Sequence, residues 1–155
     1  MLEQRYIDEI KLELENIHIV IKEAVNILTE FRDVEPDNIR KTAAGSFLAQ
    51  FYNGVENILK RIIKMQGLSL PKGENWHFDL FKMFCNPTKE SLPLLFENEL
   101  ETEMNLYRKF RHVVYHGYGF QLDWETMKEG IEKVEVTFQK FYAKIWEYIV
   151  TGSEE

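Results

Sequence analysis

The chain has 155 residues, 45% of them hydrophobic and 29% charged, with a formal net charge of −7. This is the size and balance of one globular domain that buries a core without disulfides or metals, and its acidity excludes a protein that coats nucleic acid non-specifically. The single cysteine, Cys85, cannot close an internal disulfide and fits a reducing cytoplasm; the opening MLEQRYIDEIKLELEN mixes charge with apolar residues, unlike a secretory leader, and no apolar run approaches the length of a membrane span.

Hydrophobic periodicity is the clear signal along the chain. Ile7, Ile10, Leu14, Ile17, Ile21, Ala24, Leu28 and Phe31 alternate spacings of three and four, which predicts a helix over about residues 3–32. VEPDN breaks it, and Pro36 and Asp37 suit the start of the next helix. A second stripe runs through Ala44, Leu48, Phe51, Val55, Ile58, Ile62 and Met65, and Gly67 suits a left-handed helix end. SLPKGEN is a loop; a short helix is expected over about 75–85 and another over about 94–116, stopped by Gly117 and Gly119. Asp123 can cap a last helix with the stripe Met127, Ile131, Val134, Phe138, Phe141, Ile145 and Tyr148. With no strand pattern, no repeat and no linker, the expectation is an all-α antiparallel bundle of four to five helices.

One stretch departs from the acidic average. YRKFRHVVYHGYGF, residues 107–120, carries no acid, whereas Glu90, Glu97, Glu99, Glu101 and Glu103 crowd the segment before it. At roughly 100° per residue, Tyr107, Phe110, Val113 and Val114 fall on one arc, the expected core face. Arg108, Arg111, His112, Tyr115 and His116 fall on the opposite arc, towards solvent or another subunit. A solvated helix face ordinarily mixes both signs; a face of one sign fits an anion site, where arginine grips phosphate bidentately.

The residue types allow metal-independent RNA cleavage. A histidine near the end of its helix can move a proton, an arginine can stabilise charge on phosphate oxygens, and exposed tyrosines can stack on unpaired bases. His116 and Arg111 lie five positions apart, roughly 140° around an ideal helix, so they meet around opposite sides of a phosphate or across a two-fold axis. His112 and His116 form an i, i+4 pair, a zinc-compatible spacing, but no further ligand motif accompanies it, and no metal or other cofactor is expected. His77 reads as a hydrogen-bonded structural residue, His18 as a surface one, and Cys85 as a half-buried thiol without a basic neighbour.

RHVVYHGY is an R-x4-H-x-Y pattern of Arg111, His116 and Tyr118, with the polar His112 directly after the arginine. It resembles the signature of HEPN-domain proteins, most closely the HepT-type toxins of bacterial HEPN/MNT toxin–antitoxin pairs. FYNGVENILKRI (51–62) is similar to the second long helix of that family, and LPKGENWHFDLFKMF to the segment after it, so the likeness covers nearly the whole chain as one domain, 1–155. The resemblance implies a homodimeric endoribonuclease toxin of a type VII-like system, with the two motifs meeting at the dimer interface. Arg111 and His116 would be its catalytic pair, supported by His112 and Arg108. It also implies an MNT nucleotidyltransferase antitoxin that transfers AMP from ATP onto Tyr118. Many HEPN proteins are instead non-catalytic nucleotide- or partner-binding modules, which is the alternative expectation.

Overall fold

A computed structural model describes residues 2–154. The elements are α1 (Gln4–Glu30), α2 (Asn38–Met65), α3 (Trp76–Met83), α4 (Glu99–His116), a 3-10 turn (Gly119–Gln121) and α5 (Trp124–Glu154). No strand occurs among the described residues, and the expected all-α bundle is what forms.

The predicted stripes are buried, except that Phe31, Met65 and Tyr148 lie half-buried near helix ends. On α1, Ile7, Ile10, Leu14, Ile17, Ile21, Ala24 and Leu28 all face inward; each larger aliphatic side chain removed from water contributes about 1.5–3 kcal/mol before entropy is counted. The link over 31–37 returns the chain alongside α1, so α1 and α2 pack antiparallel. α2 is the central helix, touching α1, α3, α4, α5 and the 3-10 turn. One continuous core includes Phe51, Tyr52, Phe81, Phe84, Phe96 and Phe141.

The helix ends follow the expected chemistry. Asp37 Oδ1 accepts from the Arg40 amide at 2.9 Å and Asp123 Oδ2 from the Thr126 amide at 3.1 Å, each satisfying an orphan donor of a first turn. Gly67 ends α2 at φ 70, with Gly67 N–H donating to the Lys64 carbonyl and Leu68 N–H to that of Ile63. Only glycine adopts this left-handed paired-bond end at little cost.

One boundary differs. The helix expected from about 94 begins at Glu99. Leu95 and Phe96 are buried outside any helix, and both amides donate to the Phe84 carbonyl at 3.1 Å. The end of α3 thus captures this segment, and a helical pattern of apolar residues is satisfied by a tertiary contact instead.

Candidate functional site

α4 changes character along its length. Its buried residues, Leu100, Met104 and Tyr107, all belong to its first half. The acids there are paired: Glu101 with Lys82 of α3 at 3.0 Å, Glu103 with Lys140 of α5 at 2.9 Å, and Glu97, just before the helix, with Lys144. Beyond Tyr107 the pairing stops. Among the described residues, Arg108, Lys109, Arg111, His112 and His116 have no carboxylate within ion-pair distance. Exposed ion pairs contribute little to stability, but here they cancel the acids of α4 and leave its end positive.

The expected faces hold in part. Tyr107 is buried, its hydroxyl donating to the Gly130 carbonyl at 2.6 Å, and Phe110 and Val114 pack against the core. Val113 does not: it is 54% exposed, because it sits at the rim of an arc wider than the surface that neighbouring helices cover. His112, Tyr115 and His116 are exposed as expected. Arg108 and Arg111 are half-buried rather than free, since long side chains fold their stems back over apolar surface. Arg108 lies 5.1 Å over the Phe78 ring, with Nε donating to Asn105 Oδ1 at 2.8 Å.

Arg111 turns back to α2. Its Nε donates to Asn53 Oδ1, its guanidinium lies 4.6 Å over the Tyr115 ring, and Asn53 Nδ2 donates to the Tyr115 hydroxyl at 2.8 Å. Beside Asn53, Tyr52 is fully buried. Its hydroxyl has no hydrogen-bond partner, and burial pushes its phenol well above the ordinary value.

His112 and His116 are brought together, their ring centroids 4.3 Å apart. Among the described residues no group of three or more His, Cys, Asp and Glu side chains is arranged around a metal-sized space. Arg111 and His116 share no hydrogen bond; the polar partner of Arg111 is Asn53. After Gly117 the chain leaves α4 extended, and Tyr118 is 68% exposed, stacked on Phe120 at 5.5 Å. The turn between them rests on α2: a Cβ on Gly119 would fall 2.0 Å from Thr42 Oγ1. Tyr118 N–H donates to Gln121 Oε1 at 3.3 Å, tying the turn to itself.

Other residues fall outside this surface. His77 is structural as expected, its Nδ1 2.6 Å from Oε2 of Glu56, which is 3% exposed, and its ring stacked on Trp76 at 3.6 Å. His18 is exposed. Cys85 is more buried than expected, and Lys82 lies within electrostatic reach; burial still dominates and pushes the thiol up to about 12. Two grooves in the surface lie between α4 and α5, lined by Glu97, Leu100, Lys140 and Lys144, and beside Asp123; neither includes Arg111 or His116.

Residues 43–151 match the family described as HepT-like protein. The chain belongs to the HepT-like family. The match takes in most of α2, all of α3, α4 and the 3-10 turn, and nearly all of α5, and with them every residue of the cationic surface. At the family level this is a HEPN-type toxin or nuclease module. No curated protein and no solved structure matches the chain. No helix of the described residues is long and apolar enough to cross a membrane.

Asn53, Thr42 and Phe120 escaped the sequence reading. Asn53 did leave a trace: it is a polar residue between Phe51 and Val55, two positions of the α2 stripe. Phe120 lies within the basic and aromatic stretch without helical spacing to place it, and Thr42 shows no sign of its contact until the turn is folded.

Proposed function

We propose that this HepT-like chain is a metal-independent endoribonuclease toxin of a HEPN/MNT pair, cutting single-stranded RNA in the cytoplasm as a one-domain homodimer. The observation that carries the proposal is the unneutralised end of α4. In a chain of net charge −7, Arg108, Lys109, Arg111, His112 and His116 stand together without a carboxylate, while the acids nearby are paired. Such a strip focuses field on a polyanion even when the body repels it.

His116 takes the proton from a ribose 2′-hydroxyl. The oxygen attacks the adjacent phosphorus, and the 5′ oxygen leaves and is protonated. Arg111 stabilises the charge that builds on the non-bridging oxygens. His112, its ring 4.3 Å from that of His116, and Arg108 support placement. Tyr115 and the Tyr118–Phe120 stack offer open ring faces to unpaired bases. Dimerisation is supported by Leu106 and Val113, seven positions apart on α4 and 59% and 54% exposed. A second subunit would turn an open surface into a cleft.

Tyr118 is the acceptor for AMP from the MNT partner. Its phenolic oxygen attacks the α-phosphate of ATP and pyrophosphate leaves. The added phosphodiester places negative charge in the RNA path and blocks phosphate binding.

The deciding assay is cleavage of single-stranded RNA in EDTA by unmodified protein beside His116→Ala. Cutting by the wild type alone is expected; equal activity of the two would sink the assignment. The second reading is a nucleotide- or partner-binding module without cleavage. It is favoured by one observation: Arg111 is bonded to Asn53 and not to His116. It predicts anion binding lost in Arg111→Ala with RNA left whole.

A further inference from the structure

Of the five arginine, lysine and histidine side chains at the end of α4, Arg111 is the one that makes a polar bond to another helix among the described residues. The bond runs from its Nε edge to Asn53 Oδ1, and Asn53 spends its amide nitrogen on the Tyr115 hydroxyl. The Tyr115 ring in turn backs the guanidinium at 4.6 Å. These three contacts close a triangle between α2 and α4. A guanidinium has five N–H donors in a fixed plane. With Nε committed to Asn53 and one face covered by Tyr115, its plane is set and the four Nη hydrogens remain for a ligand.

We propose that Asn53 is a positioning residue that holds Arg111 oriented for a phosphate. This rests on the anion-site reading given above and adds a residue outside the R-x4-H-x-Y pattern. The residue type is part of the argument. A carboxylate at this position would hold Nε more tightly, but it would cancel the arginine charge and repel the incoming phosphate. A carboxamide accepts the same hydrogen bond without charge, and its second group fixes the tyrosine. Holding the side chain in advance also removes rotamer entropy that would otherwise be lost when substrate binds.

The test uses the full, unmodified chain with an uncleavable 2′-O-methyl oligoribonucleotide, comparing wild type, Asn53→Ala, Arg111→Ala and the double variant by fluorescence anisotropy. Asn53→Ala is expected to weaken binding about tenfold, the scale of one hydrogen bond to a charged group. In the Arg111→Ala background the same change should cost less than about twofold, because Asn53 acts through Arg111. A nitrogen-15 spectrum supplies an independent signature: the Arg111 Nε–H resonance is resolved in wild type, kept in Asn53→Asp and lost in Asn53→Ala. Asn53→Asp, despite that retained resonance, should bind more weakly than wild type.

An unchanged affinity for Asn53→Ala, a full penalty persisting without Arg111, or a wild type with no affinity for the oligonucleotide would each overturn the proposal. Cleavage of ordinary RNA is scored separately. Coupled binding without cleavage leaves Asn53 in its role and removes the nuclease. Cleavage with no coupling does the reverse.

Discussion

Replacing Gly119 by alanine tests how the turn that carries Tyr118 and Phe120 is seated. The added Cβ would meet Thr42 Oγ1 at 2.0 Å, its Cβ at 3.0 Å and its Cγ2 at 3.1 Å. Rotation of Thr42 about χ1 relieves the first contact, yet its Cβ stays where it is. The turn must therefore withdraw from α2 or force Thr42 off its preferred rotamer. Overpacking of this kind costs about 1–3 kcal/mol, which for a chain of this size lowers Tm by roughly 3–9 °C. Gly119 is not in the left-handed region, so alanine brings no backbone penalty of its own. Thr42→Ala removes Oγ1 and Cγ2, and alanine is the better helix former. Because the Thr42 Cβ stays 3.0 Å from the new methyl, the double variant should recover the part of the loss due to Oγ1 and Cγ2 and not all of it, a coupling inside the usual range of about 0.5–3 kcal/mol for touching residues. Urea unfolding of the four proteins measures this directly. Wild-type stability in Gly119→Ala, or no recovery on adding Thr42→Ala, would refute the seating argument.

His77→Ala leaves the buried Glu56 carboxylate with only Lys60, 4.0 Å away. The His77 side chain is 27% exposed, so the loss should fall somewhat below that of a fully buried pair, about 2–3 kcal/mol by urea unfolding. Tyr107→Phe removes the hydroxyl that donates to the Gly130 carbonyl and should cost about 1 kcal/mol, with RNA binding unchanged in an anisotropy titration. Burial pushes the Cys85 thiol up to about 12, while an unfolded thiol ionises near about 8.5. Above that lower value the unfolded chain loses a proton that the folded chain keeps, so stability falls as pH rises. Urea midpoints between pH 8 and 9.5 should decline in wild type and flatten in Cys85→Ala, and a thiol-reactive dye at pH 8 should label the native chain far more slowly than the unfolded one.

α1, α2 and α5 were legible because each buries one continuous stripe, and a stripe of alternating threes and fours is written directly in residue order. Asp37, Gly67 and Asp123 were legible for a similar reason: their roles depend on bonds within a few positions. The start of α4 was not, because Leu95 and Phe96 pack and bond according to where Phe84 lies in space. The cationic stretch showed itself through its missing acids, and helical geometry placed His112, Tyr115 and His116 correctly. It misjudged the two arginines, whose partners Asn53 and Phe78 sit on other elements. Spacing along one helix says which way a side chain starts, and a long side chain ends wherever another element offers it a partner.

Because the buried residues of α4 stop at Tyr107, the helix is fastened to the core at one end. The backbone of 108–116 is held by half-buried Phe110 and Val114 and by the Arg111–Asn53 bond. Its amides should exchange with solvent through local openings that cost less than global unfolding, while those of the first half wait for the whole bundle to open. A subunit or an RNA strand closing over that end would slow its exchange without altering the rest of the chain. Hydrogen exchange would therefore report where a ligand or subunit sits before any complex has been crystallised.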